Sequence, residues 1–277
     1  MAITETPAPV SRAGRNLPAA IGVGLTLGGL ILGSVWSPYR WTFVVIMVLA
    51  GALGTIEVVR ALQTLGAEPA LVPLVLGGSA MVVVAYRNGP GDAFLAFSLT
   101  VLACVVWRIA ELDRGALRDL SASVFSLTYV PFLMCFAALM TAADDGPERI
   151  TAFIATVVAS DTGGYVAGVL FGKHPMAPSV SPKKSWEGFG GSALFCGVAG
   201  AIFFVTLLDS HWWMGLLFGL AVVCSATLGD LGESMVKRDI GIKDMGNLLP
   251  GHGGLMDRLD SILPTAPIAY LLFALML

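Results

Sequence analysis

Eight charged side chains crowd the chain between residues 237 and 260: Lys237, Arg238, Asp239, Lys243, Asp244, Asp257, Arg258 and Asp260. They belong to the stretch Ser234–Ser261, SMVKRDIGIKDMGNLLPGHGGLMDRLDS. Asp257 and Asp260 are spaced i, i+3 and share one face if the segment is helical. Asp230 lies just upstream, at the end of an apolar run. Carboxylates converging in this way suit a hard divalent cation, Mg²⁺ above all, which takes a few carboxylates and completes its shell with substrate phosphates. Pro250-Gly251-His252-Gly253-Gly254 forms a tight turn whose backbone amides can cradle an anion. His252 is a single imidazole, which argues against zinc.

Two further clusters lie upstream. Ser181-Pro182-Lys183-Lys184-Ser185-Trp186-Glu187-Gly188 sets two ammonium groups and a hydroxyl just before an apolar helix, where N-terminal amides also favour a polyphosphate. The same lysines could equally bind lipid headgroups. Prolines make this segment a loop. Ser160-Asp161-Thr162-Gly163-Gly164-Tyr165 interrupts an apolar run. Asp161 stands about twelve residues from the loop, roughly 18 Å deep at helical rise. An acid at that depth is either a cavity-lining ligand or is satisfied by a neighbouring helix. Its two glycines allow close backbone approach or a local break. Glu57, in an earlier apolar run, either pairs with the nearby Arg60 or serves function.

The elements that must position these groups are membrane spans. Mean hydropathy is +0.81 and 13% of residues are charged, against roughly 25% in soluble domains. Apolar runs fall at 17–36, 41–62, 69–86, 92–110, 121–142, 150–172, 188–208, 212–231 and 261–277. That predicts an all-α polytopic integral membrane protein of about nine transmembrane helices. The last run is short, so its helix starts inside the charged stretch. Residues 1–16 read as a disordered tail, 17–145 as N-terminal spans and 146–277 as the region carrying chemistry. The first run is read as a retained span, because no A-x-A-like cleavage site ends it.

The charged stretch itself does not cross lipid. Eight charges at about 2.5–3.5 kcal/mol each cost roughly 20–28 kcal/mol, and some twenty aliphatic residues return only about 10. It lies at a membrane face or lines a wet cavity. With the N-terminus cytoplasmic, 13 of the 16 Lys and Arg fall on the cytoplasmic side and only Arg40, Arg87 and Arg149 outside. The positive-inside rule therefore predicts N-in and C-out. Both chemical loops, at about 173–187 and 232–260, then face the cytoplasm. Net charge is −3, so no bulk field recruits nucleic acid. Cys104, Cys135, Cys196 and Cys224 each sit alone in apolar runs and read as small core residues rather than a disulfide or zinc framework.

The long stretch resembles the signature of the phosphatidate cytidylyltransferases. Ser234, Lys237, Arg238, Lys243, Asp244, Gly246, Leu249, Pro250, His252, Gly253, Gly254, Asp257, Arg258 and Asp260 all fall in place. Asp161–Tyr165 and Ser181–Gly188 also look like motifs of that family, in the right order. The likeness is strong over roughly 155–277, whereas 1–150 matches only as a hydrophobic multi-span half. The resemblance implies an enzyme of the cell membrane that joins CTP to phosphatidic acid with Mg²⁺ and releases pyrophosphate. It implies metal ligands at Asp230, Asp257 and Asp260, and nucleotide or lipid contacts from Asp161, Lys183, Lys184, Ser185, Glu187, Gly253 and Gly254. Lys237, Arg238, Lys243, Asp244, His252 and Arg258 are then the catalytic set. A homodimer is compatible with the sequence. The rival reading is a secondary transporter, which would explain Glu57 and Asp161 at depth. It would not explain the charged glycine turn, and the inverted repeats expected of it are not seen.

Overall fold

The computed structural model describes residues 17–111, 115–246 and 253–277. The expected tail over 1–16, together with Arg114, Leu249, Pro250, Gly251 and His252, lies outside the described residues. In hydrocarbon a backbone must satisfy its own hydrogen bonds, so apolar runs of this length fold as helices. The chain forms α1 (Leu17–Val35), α2 (Trp41–Gln63), α3 (Leu71–Asn88), α4 (Pro90–Glu111) and α5 (Ala116–Leu127). A five-residue π turn, Thr128–Phe132, joins α5 to α6 (Leu133–Ala142). Pro131 inside that turn has no N–H to donate, which favours the wider turn. Then come α7 (Gly146–Phe171), β1 (Pro175–Ala177), β2 (Ser181–Ser185), α8 (Trp186–Thr206), α9 (Trp212–Ile240), α10 (Met256–Leu259) and α11 (Ile262–Met276).

Among the described residues, eight helices are long and apolar enough to cross a bilayer. The expected first span coincides with α1, but the count by this criterion is eight rather than nine. The last span begins at Met256, inside the charged stretch as expected. Leucine, valine and phenylalanine side chains cover the outside of the bundle, among them Leu76, Leu102, Val169 and Leu275. Such a surface belongs against lipid tails rather than water.

Four features differ from the sequence expectation. First, α9 does not stop near Asp230 but runs on to Ile240, so Glu233, Ser234, Lys237 and Arg238 are helical. Glu233 and Lys237 pair at i, i+4 (2.6 Å), and the two cations of the last turn complement the helix dipole. The helix ends where Gly241 takes φ +79°, with Ile242 N–H donating to Lys237 O at 3.0 Å. Second, the proline-bearing loop holds a short antiparallel hairpin, β1 with β2. Third, α7 passes through Asp161–Tyr165 unbroken. Its glycines serve close approach: a Cβ on Gly163 would lie 2.7 Å from Gly191 O of α8. Fourth, Cys104, Cys135 and Cys196 are buried, but Cys224 faces outward.

Tight packing between α7, α8 and α9 sets the frame for the chemistry. A Cβ on Gly164 would lie 2.5 Å from Ser192 Oγ, and Ser192 Oγ donates to Ser160 O at 2.6 Å. Below this, Phe204 of α8, Phe218 of α9 and Phe273 of α11 are fully buried, and Phe273 stacks on both of the others, on Phe218 at 4.8 Å between centroids. Ring contacts of this kind fix three helices together away from the charged stretch, with the Arg149 guanidinium 5.8 Å from the Phe273 centroid.

Candidate active site

One cavity of about 430 Å³ opens where α7, the hairpin, α8, α9 and α10 meet. Asp161 enters it from α7, Asp230 from the C-terminal half of α9, and Asp257, Arg258 and Asp260 from α10 and its end. Lys183, Lys184 and Ser185 enter from β2. Four carboxylates thus share one space with two ammonium groups and a guanidinium.

The hairpin is tied to α9. Lys184 Nζ lies 2.6 Å from Asp230 Oδ2 and 3.5 Å from Thr227 O. Arg238 Nε donates to Val180 O at 3.4 Å across the hairpin. Ser185 caps α8, its Oγ accepting from Gly188 N–H at 3.1 Å. That leaves its hydroxyl proton available to a ligand. The lysine segment and the acid–base segment therefore sit at one end of the bundle.

Asp257 is the best-held carboxylate. Lys237 Nζ donates to its Oδ1 at 2.8 Å. Gly254 N–H and Met245 N–H donate to its Oδ2 at 2.7 and 3.1 Å. Gly253 has φ +81°, and a Cβ there would lie 2.9 Å from Asp257 Oδ2, so the turn needs glycine on both counts. Lys237 also donates to Glu233 Oε2 at 2.6 Å, which makes a Glu233–Lys237–Asp257 triad beneath the cavity. Glu233 is fully buried, and among the described residues neither its Oε1 nor the Oη of the partly buried Tyr129 has a hydrogen-bond partner. Asp260 Oδ1 accepts from Ser261 N–H at 2.7 Å.

Asp161, Lys183, Lys184, Ser185, Asp230, Asp257, Arg258 and Asp260 line the cavity together. Lys237 lies one step behind, gripping Asp257, and Gly254 supports the same carboxylate. Glu187 lies outside the lining. It accepts from Lys173 N–H at 3.1 Å and His174 N–H at 3.2 Å and pairs with the His174 ring, closing the base of the hairpin. Arg238, Lys243 and Asp244 are exposed outside the lining. Glu233 was not anticipated from sequence, although its i, i+4 relation to Lys237 was there to be read. Glu57 does not pair with Arg60 in the structure. It reaches the signature segment instead, accepting from the amides of Leu255 and Met256.

Among the described residues, no three His, Cys, Asp or Glu side chains converge as a ready-made metal cage. The donor set nonetheless fits Mg²⁺ in kind. It is all oxygen, and this ion needs only one or two protein carboxylates when phosphates and water supply the rest.

A polytopic helical membrane protein that gathers carboxylates, lysines and an arginine in one cavity at the end of its bundle is built to handle phosphates beside lipid. The sequence model of the cytidylyltransferase family matches residues 18–276. A phosphatidate cytidylyltransferase of Mycobacterium leprae is 44% identical, over 99% of this chain and 93% of its own length. One of Mycobacterium bovis is 45% identical, over 99% of this chain and 92% of its own. The Arabidopsis thaliana phosphatidate cytidylyltransferase 5, chloroplastic, is 30% identical over 92% of this chain and 70% of its own. The chain belongs to the cytidylyltransferase family. The match begins at residue 18, so it takes in the N-terminal half as well as the signature region.

Proposed function

We propose that this chain transfers the cytidylyl group of CTP to phosphatidic acid, giving CDP-diacylglycerol and pyrophosphate. One observation carries the reading beyond the family: the Lys184–Asp230 contact joins the lysine hairpin to the acidic cluster in a single cavity. A phosphate oxygen of the lipid bonds to the α-phosphorus of CTP. The bond from that phosphorus to the oxygen bridging to the β-phosphate breaks, and pyrophosphate leaves with the electron pair. A phosphatidate oxygen is already ionised at neutral pH, so the step needs no strong general base.

The obstacle is repulsion between two polyanions. A single charge pair at 4 Å repels by about 4 kcal/mol even at an effective dielectric of 20. Lys183, Lys184 and Ser185 hold the triphosphate, while Lys237 and Arg258 offset charge where the two phosphates meet. Arg238 and Lys243, at the rim, attract both anions. Asp230, Asp257 and Asp260 would hold Mg²⁺, which supplies charge neutralisation of the phosphates and alignment of the attacking oxygen. Lipid tails remain in hydrocarbon beside α7 and α8 while the headgroup reaches the cavity.

Purified protein in detergent, given CTP, phosphatidic acid and Mg²⁺, is expected to release pyrophosphate, and chelation of the metal to stop it. Release that is absent with metal present, or unchanged by chelation, sinks the reaction or its metal respectively.

We further propose N-in, C-out insertion in the cell membrane with α1 as a ninth span. The bias of Lys and Arg supports the orientation, and the contact between Arg238 and the hairpin supports a shared face for the two loops. Single cysteines from Lys183→Cys and Lys243→Cys are expected to react with an impermeant thiol reagent only when the cytoplasmic face is open. Labelling of the two from opposite sides overturns this arrangement.

A further inference from the structure

Glu57 lies in α2, far in sequence from every cavity residue, and is 6% exposed. Its two oxygens accept from consecutive backbone amides of the signature segment: Leu255 N–H to Oε1 at 3.0 Å and Met256 N–H to Oε2 at 2.9 Å. The carboxylate also lies flat against two glycines of that segment. A Cβ on Gly246 would stand 2.6 Å from Glu57 Cδ, and one on Gly254 would stand 2.6 Å from Oε2. Any side chain at either position would push the carboxylate away. Glu57 therefore holds the segment by the amides of Leu255 and Met256 and packs closely against Gly246 and Gly254. Asp257 follows immediately, and its own Oδ2 is held by Gly254 N–H.

We infer that Glu57 is a positioning residue for the cytidylyl transfer. It acts through the backbone of Gly254–Met256 to set where Asp257 and Asp260 point. The N-terminal half thereby contributes to the site without touching substrate. A carboxylate suits the post because it can accept both amides at once. Glutamine accepts one and turns an N–H against the other. The inference rests on the proposed reaction, and the unmodified chain assayed in parallel separates the two. If that chain releases no pyrophosphate, the reaction is wrong. If it does and Glu57 proves dispensable, only this inference falls.

The test uses the purified full chain carrying Glu57→Gln, Gly246→Ala or both, with CTP, phosphatidic acid and Mg²⁺. Glu57→Gln is expected to lower kcat about 30-fold, the worth of one charge-assisted hydrogen bond. KM for CTP should move less than about threefold, because the lysine hairpin holds the nucleotide from elsewhere. Gly246→Ala should lose a similar factor, and the double variant should be little worse than either single, since both act on one contact. Losses that multiply in the double variant overturn the inference. So does a Glu57→Gln protein of reduced yield whose folded fraction turns over normally, which would mark a purely structural acid. If Glu57→Gln does not fold, Gly246→Ala decides alone: it keeps the charge, and full activity there overturns the proposal.

Discussion

Asp257→Asn is expected to lower pyrophosphate release by about a thousandfold, equivalent to roughly 4 kcal/mol of transition-state stabilisation. The carboxylate receives three donors: the Lys237 ammonium and the amides of Gly254 and Met245. An asparagine offers one oxygen to these and must aim its own N–H₂ at a donor. The side chain would rotate or the turn would shift, and either displaces Arg258 on the same short helix and Asp260 just after it. The change also removes one negative charge from the place proposed to hold Mg²⁺. KM for CTP should rise much less than kcat falls, because the nucleotide's main contacts lie on the hairpin. The assay is initial-rate pyrophosphate release at saturating lipid. Near-normal turnover would remove Asp257 from the metal set while leaving the reaction standing.

The spans were legible because lipid is an undemanding reader. A run of apolar residues of sufficient length folds as a helix whatever its neighbours do. Hence α2, α3, α8 and the helix α10–α11 fall close to their expected positions. The extension of α9 to Ile240 was hidden because charge, in hydropathy, looks like the end of a span. Lys237 and Arg238 stay helical because they meet partners, Glu233 and Asp257 for one and Val180 O for the other. Those partners come from α9 itself, the hairpin and α10, and only one of them is near in sequence. Asp161, Lys184, Asp230 and Asp257 could be named as site residues because their types are unusual in an apolar chain. Glu187 is equally unusual and yet closes the hairpin from outside the cavity lining, so an unusual residue type does not by itself give location. Glu57 makes the opposite point. Its nearest neighbour of opposite charge in sequence is Arg60, but its oxygens turn to amides 198 and 199 residues away. No local pattern encodes a contact of that span.

Lys237→Met is expected to abolish turnover and to destabilise the protein by about 3–5 kcal/mol, the usual consequence of stripping one partner from a buried ion pair. The ammonium lies between Glu233 Oε2 and Asp257 Oδ1, at 2.6 and 2.8 Å. Without it, two carboxylates face one another, one of them fully buried. Stability and chemistry can then be separated by a second change. In Glu233→Gln/Lys237→Met the buried acid is neutral, so the uncompensated charge is gone and the thermal midpoint in detergent should recover most of its loss. Turnover should not recover, because Asp257 still lacks its cation and the phosphates still lack a nearby positive charge. If the double variant regains activity along with stability, Lys237 serves only to neutralise Glu233. The gathering of cations against two repelling phosphates would then fall to Lys183, Lys184 and Arg258 alone. A midpoint that stays low while Glu233 is neutral would instead locate the damage at Asp257, whose remaining donors are the amides of Gly254 and Met245.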